Sequence, residues 1–344
     1  MTKEDNFTCA KFRVRLFLSV DLSGSTAFKN SMKGVELDSA SPRWVTTFET
    51  FYRDFPARLN DAYTRSITLD SDTDDRPKLW KAVGDELVFC SRVKNRKSVI
   101  IALNAFIQTL EGYRKLLQDE SLALDLKGAG WLATFPEPNR AVNLRNSGEA
   151  SDFLTASEAL ESAADATPFE YDFLGKAIDT GFRIASFAKP ERFVLSVQLA
   201  RLLASCEPKQ GFAYEIRFEE TRSLKGGNGG EAYPILYVDT LNHMKTRSIR
   251  EDERLFLGQS VAPDRKLLRR YLDTYCSVVG TEEICLPETA GEAECEPPQC
   301  YTDIRKKISD HLEAEKHRGK DNDVDEASDD GSNGSIPKGP GLMK

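Results

Sequence analysis

Two aspartates stand where their chemistry could be used. Asp21 closes the apolar run Leu16-Phe17-Leu18-Ser19-Val20 and leads into a small-residue loop, Ser23-Gly24-Ser25-Thr26. Asp85 follows Gly84 between two further runs, Lys78-Leu79-Trp80-Lys81-Ala82-Val83 and Glu86-Leu87-Val88-Phe89-Cys90. That pattern is a two-residue hairpin turn. An aspartate in a turn usually does no more than form it. A buried strand that ends in a carboxylate and a small-residue loop has fewer bland explanations. If the two strands are neighbours, two carboxylates meet at one sheet edge, a setting for hard divalent cations with oxygen ligands.

Two other groupings have a functional and an ordinary reading. The Ser/Gly/Thr cluster fits a helix N-terminus, whose free N–H groups receive anions; simple capping by Ser23 or Ser25 explains the same residues. Asp179 and Arg183 lie four apart, neighbours on one helix face, and an i,i+4 salt bridge is the commoner explanation for such a pair.

The elements that must position these groups follow from periodicity. Residues 12–20 alternate and then turn apolar, as a strand entering a sheet centre does. A helix begins at Ala27. Residues 44–63 carry aromatic and aliphatic residues at helical spacing, with Pro56 expected to kink or split the helix. Residues 97–117 read as a packed helix, and 122–132 as a strand in which Gly128 and Gly130 permit close backbone approach. Residues 134–168 read as an insertion with little regular structure apart from a helix near 156–163, and 71–76 as a solvated acidic loop. Ile178, Phe182 and Ala185 form one helical stripe. A strand at 192–197, a helix at 198–204, strands at 212–219 and 233–238, and helices at 267–275 and 304–312 complete the pattern. The expected class is α+β, one mixed sheet covered by helices.

Composition narrows the function. Apolar residues make up 40% and charged residues 30% of the 344, the balance of a soluble globular protein. No run is long enough to span a bilayer and no signal peptide is expected, so a cytoplasmic protein with no membrane partner is anticipated. A net charge of −8 disfavours a dedicated nucleic-acid binder. Seven cysteines without a C-x-x-C pair fit free thiols rather than a disulfide framework or zinc ribbon, and three histidines leave little for a histidine metal site.

Four segments resemble the class III nucleotidyl cyclases. Asp21-Leu22-Ser23-Gly24-Ser25-Thr26 is similar to that family's first metal motif, and Lys81-Ala82-Val83-Gly84-Asp85 to its Lys-x-x-Gly-Asp hairpin. Asp172-Phe173-Leu174-Gly175 resembles its Asp-x-Trp-Gly segment, and Leu224-Lys225-Gly226 its late Lys-Gly turn. The anchors fall in family order over residues 12–240. The resemblance implies a ferredoxin-like, palm-type catalytic domain over 1–245, with a partly helical C-terminal extension at 246–318 and a disordered acidic, Gly/Ser-rich tail at 319–344. It also implies two Mn²⁺ or Mg²⁺ ions on Asp21, Asp85 and the Leu22 carbonyl, with phosphates cradled by Ser23, Gly24, Ser25 and Thr26. Arg183 and Lys225 would neutralise phosphate charge, while Lys81 and Asp172 would read the base. Asp179 stands where the family usually has Asn. In the family the site lies between two protomers, so a homodimer is expected.

The run from Asp172 to Ala185, Trp80 before Lys81 and the insertion at 134–168 look most like the pyrimidine cyclases of bacterial Pycsar anti-phage defence. That resemblance implies conversion of UTP to cyclic UMP, read by a separate effector protein. Cytidylate cyclase, adenylate cyclase and a catalytically silent nucleotide-binding module are the alternatives. A diguanylate cyclase would carry a Gly-Gly-[Asp/Glu]-Glu-Phe turn, which this sequence lacks.

Overall fold

Residues Arg13–Ser23 form strand β1, whose alternation divides the molecule into two layers. The structure is a computed structural model that describes residues 9–31, 42–67, 75–120, 122–144, 157–206, 211–224, 232–240, 247–258, 264–289, 291–293 and 295–311. Beside β1 lie β3 (Glu86–Val93) and β4 (Asp125–Phe135), both antiparallel to it. Strand β2 (Lys78–Val83) pairs with β3 through the hairpin. The sheet continues from β4 to a parallel β7 (Arg192–Leu195), then to β9 (Ala232–Asp239) and β8 (Ile216–Ser223), both antiparallel to their neighbours. The order β2-β3-β1-β4-β7-β9-β8 makes a mixed seven-stranded sheet, and a two-stranded ribbon joins β5 (Arg140–Asn143) to β6 (Tyr171–Leu174). The α+β expectation therefore holds.

The even-numbered face of β1 (Val14, Leu16, Leu18, Val20, Leu22) is wholly buried. Helices α2 (Arg43–Ser66) and α3 (Arg96–Asp119) cover it. Phe55 and Phe106 both meet Phe89, which stands opposite Leu18 in register. The odd-numbered face runs from charge to aromatic to carboxylate: Arg13, Arg15, Phe17, Ser19, Asp21. Helix α4 (Glu158–Ala166) supplies counter-charges for the two arginines, and α5 (Lys176–Ala185) lies over β4. Arg15 pairs with Glu161 at 2.7 Å and Asp165 at 2.6 Å, and its guanidinium lies 4.5 Å from the Phe135 ring centre. Arg13 pairs with Glu158 at 2.6 Å. The two arginines of the alternation thus face the carboxylates of α4 rather than water.

Short helices α1 (Ser25–Ser31), α6 (Val197–Ala204) and α7 (Arg247–Phe256) and the longer α8 (Arg265–Val279) complete the elements. Leu268, Leu272 and Cys276 of α8 join the same buried cluster as the sheet. Residues 1–301 form one compact unit; in the second, 302–344, the described residues 302–311 are helical. Among the described residues no helix is long and apolar enough to cross a membrane.

Several expectations change. Helix α2 continues through Pro56. The proline removes one backbone hydrogen bond, and burial of Phe48, Phe51, Phe55, Leu59 and Tyr63 from the same helix offsets the loss. The stretch 134–168 holds the end of β4, the whole of β5 and the helix α4, so it is more ordered than its composition indicates. Helix α7 is not anticipated by the periodicity, and the strand expected at 212–219 begins at Ile216. Cys285 and Cys295 form a disulfide, so not every thiol is free. Of the acidic loop 71–76, residues 71–74 lie outside the described residues and Asp75 is buried rather than solvated; the tail at 319–344 and the Lys225-Gly226-Gly227 turn also lie outside the described residues.

Candidate active site

The two aspartates stand at the same end of the sheet. In the β1–β3 register Asp21 stands opposite Glu86, the residue after Asp85. The Leu22 N–H donates to the Asp85 carbonyl at 3.3 Å, closing the end of the sheet against the hairpin tip. Gly84 has φ +63°, which the turn needs and an L side chain rarely adopts. Tyr52 of α2 donates its hydroxyl to the Gly84 carbonyl, so the helix layer fixes the tip. Burial and then the Asp85 charge push the Tyr52 phenol up from its ordinary value.

Asp21 has charged neighbours on both flanks. Toward β4 stands Lys127, with its Nζ 2.9 Å from Asp21 Oδ2. Toward β3 stands Glu86, whose carboxyl is pushed up mainly by burial, with the Asp21 and Asp85 charges adding to the shift while a Ser19 hydrogen bond and Lys127 oppose it. Asp21, Glu86 and Lys127 line a cavity of about 200 Å³, closed on one side by Phe182 and Ala185 of α5.

The donor set fits a divalent cation of the magnesium or manganese kind. Such ions bind through one or two carboxylates and keep other positions for water and substrate phosphate. Asp21 and Asp85 supply two hard carboxylates, the Leu22 carbonyl belongs to the same sheet end, and the ammonium on Asp21 already occupies a cation's place. Among the described residues no cluster of three or more His, Cys, Asp or Glu could hold an ion alone. The remaining ligands would have to come from substrate and solvent.

The small-residue loop follows directly. Ser23 is the last residue of β1, Gly24 has φ +88°, and Ser25 opens α1. A Cβ on Gly24 would come 2.9 Å from the Ala123 carbonyl oxygen, so the turn has no room for another side chain. The Phe28 N–H is taken by the Gly24 carbonyl at 2.9 Å. Neither Ser23 nor Ser25 caps the first turn through its side chain among the described residues, so the capping explanation is not realised.

Lys81 and Asp172, far apart in sequence, are brought together. Lys81 Nζ lies 2.6 Å from Asp172 Oδ1, which also accepts from the Phe173 N–H at 2.9 Å. This leaves Oδ2 to accept from a ligand. A bulge in β2 between Leu79 and Lys81 sets the direction of the lysine, since an extra residue re-aims the side chains around it. Trp80, the extra residue, is buried rather than exposed to a ligand. Its Nε1 donates to the Tyr171 carbonyl at 3.0 Å, and Lys81 Nζ rests 4.0 Å from the centre of its ring.

Asp179 and Arg183 sit on α5, Asp179 exposed and Arg183 half-buried. They do not form the i,i+4 salt bridge, and Arg183 has no side-chain partner among the described residues. Between them Gly181 packs against Trp131: a Cβ there would lie 2.3 Å from the indole ring. The helix therefore sits as deep on β4 as backbone allows. Lys225 lies outside the described residues.

Sequence reasoning missed Lys127, Glu86 and Tyr52. Lys127 and Glu86 are ordinary charged residues at strand starts, and only register places them beside Asp21. Tyr52 reads as one more aromatic of an amphipathic helix.

No family model matches this chain, and no curated protein matches it. Among solved structures it is similar to the adenylyl cyclase CyaB from P. aeruginosa, with 14% identity over 68% of this chain and 97% of the other, at a TM-score of 0.45. It is similar to the guanylyl cyclase Cya2, with 12% identity over 67% of this chain and 93% of the other, at a TM-score of 0.40. It is also similar to a bacterial light-regulated adenylyl cyclase, with 11% identity over 71% of this chain and 98% of the other, at a TM-score of 0.43.

Proposed function

We propose that this chain is a class III-type nucleotidyl cyclase that converts UTP to 3′,5′-cyclic UMP and pyrophosphate. The observation that supports the reading is that Asp21 and Asp85 lie at the same β1–β3 end, with the Ser23–Thr26 turn immediately beyond. Asp21, Asp85 and the Leu22 carbonyl would hold two Mn²⁺ or Mg²⁺ ions. Bound there, such ions acidify the ribose 3′-hydroxyl and offset the triphosphate charge. The 3′-hydroxyl would give its proton to solvent and its oxygen would bond to the α-phosphorus, while the bond from that phosphorus to the β-phosphate bridging oxygen breaks and pyrophosphate leaves.

The chain's own residues would do the positioning. Free N–H groups at the start of α1 cradle phosphate, and Gly24 admits it closely. Arg183, without a side-chain partner among the described residues, is free to meet charge on the phosphates, as Lys225 would be by resemblance. Asp179, beside it, would face the ribose side and add a negative charge that Arg183 must balance. Lys81 donates to a uracil carbonyl, and Asp172 Oδ2 accepts from N3–H. In a homodimer, one protomer would hold the metals while the other supplies Lys81, Asp172, Arg183 and Lys225. The catalytic domain would span 1–245, with 246–318 an extension of it. The product would act as a second messenger in anti-phage defence in the cytoplasm, activating a separate effector.

The Lys81–Asp172 pair also suits adenine, whose amino group donates as N3–H does, so adenylate cyclase is the second reading; cytosine offers an amino group as well. The test is purified protein with Mn²⁺ and all four nucleoside triphosphates at equal concentration, the products read by mass spectrometry. Cyclic UMP is the expected main product. Cyclic AMP or cyclic CMP as main product would remove the uracil assignment and leave the cyclase chemistry. No cyclic nucleotide at all would remove both and favour a silent nucleotide-binding module.

A further inference from the structure

The geometry points to Lys127 as a built-in counter-cation of Asp21, one that occupies the carboxylate in the metal-free chain and must leave it when a divalent ion arrives. The inference rests on the reading of Asp21 as a metal ligand. Three cross-strand neighbours form a row over β3, β1 and β4: Glu86, Asp21, Lys127. Residues opposite one another in antiparallel strands share a face, so all three point into the cavity under α5. The Lys127 ammonium is paired with Asp21, and the Glu86 carboxylate lines the same cavity. Lys127 Nζ lies 2.9 Å from Asp21 Oδ2, and both side chains are partly exposed, so the pair can open to solvent without unfolding the sheet.

An ammonium and a divalent ion compete for the same oxygen lone pairs. A lysine suits this competition better than an arginine would, because it is a compact charge on a flexible stem. It also has somewhere to go. Glu86 lines the same cavity, as do the last residues of α5, where the negative end of the helix dipole favours a cation. Removing the lysine's charge should therefore tighten metal binding, and metal binding should release the lysine.

Both effects are read without turnover. Mn²⁺ alone, with no nucleotide, is titrated into the full chain and the free ion followed by electron paramagnetic resonance. Lys127→Met is expected to bind Mn²⁺ about fivefold more tightly than wild type, the worth of one partly exposed ion pair. Lys115→Met, which removes an exposed charge on α3, should leave the affinity as in wild type. Asp21→Ala should lose binding. Acetic anhydride labelling of the wild-type chain supplies a second readout, with acetylation of Lys127 expected to rise when Mn²⁺ is added. Loss of binding in Asp21→Ala with Lys127→Met no tighter than Lys115→Met overturns the lysine inference and spares the metal assignment. Undiminished binding in Asp21→Ala overturns both. Acetylation of Lys127 that stays level or falls with Mn²⁺ also overturns the lysine inference.

Discussion

Replacing Gly181 by alanine tests what holds α5, and with it Arg183, in place. On an open helix this change is favourable by about 1 kcal/mol, because glycine is the poorer helix former. Here the new Cβ would fall 2.3 Å from two carbons of the Trp131 ring and 2.5 Å from its Nε1. Ordinary carbon contacts are about 3.5–4.0 Å, so the gap must widen by roughly 1.2–1.7 Å. Trp131 cannot retreat. It is fully buried and stacked on Phe17, centroids 5.6 Å apart and planes at 7°. The helix must lift instead, at an overpacking cost of about 1–3 kcal/mol. Set against the gain in helix propensity, the overpacking leaves a net loss of up to about 2 kcal/mol, read as a lower urea midpoint at unchanged slope. A displacement near 1 Å at residues that position substrate costs about a hundredfold in rate, so turnover should fall far more than stability. Trp131→Leu, which removes the obstructing ring, should recover part of the loss when combined with Gly181→Ala, a coupling a double-mutant cycle measures. A Gly181→Ala protein as stable and as active as wild type would refute the claim that this contact sets the depth of α5.

Other perturbations bear on the core and the site. Arg15→Met should cost about 3–5 kcal/mol in urea unfolding, because it leaves the buried Glu161 without its partner, while Asp165 keeps Arg13; near-native stability would show that the network contributes little. Burial works against ionisation of Glu158, but the Lys11 N–H and Arg13 outweigh it and hold the carboxyl below its ordinary 4.5. That contribution to stability is present above the unfolded pKa and lost as pH falls through the folded one. Glu158→Gln should therefore flatten the acid-side decline below about pH 4.5, and an unchanged slope would contradict the assignment. Asp21→Ala and Asp85→Ala should each abolish Mn²⁺-dependent cyclisation while the circular dichroism spectrum stays native. Mixing Asp85→Ala with Arg183→Ala should restore activity if the site is shared between protomers; no recovery after confirmed subunit exchange would place each site within one chain.

Local rules made much of this protein legible from its sequence. The apolar run before Asp21, the Gly-Asp turn before Glu86 and the helical spacing of α3 and α6 depend on neighbours a few residues away, and those neighbours are in the sequence. The closeness of Asp21 and Asp85 followed from pairing two such strands. What depended on distant partners was not legible. The Arg13 and Arg15 alternation looks like a solvated face, and only α4, some 145 residues later, turns it into a buried ionic layer. Asp179 and Arg183 have the spacing of a salt bridge, yet the pair is not formed. Pro56 carries a local signal to break a helix, and tertiary burial of the surrounding aromatics overrides it. The bulge that aims Lys81 at Asp172 is one residue of slip between strands. Lys127 meets Asp21 because β4 pairs with β1 in one register and not the next, and a shift of one residue would turn that lysine to the opposite face. Spacing along the chain records which groups can be neighbours on one element; which elements bring their groups to a common point is decided by the packing of the whole sheet.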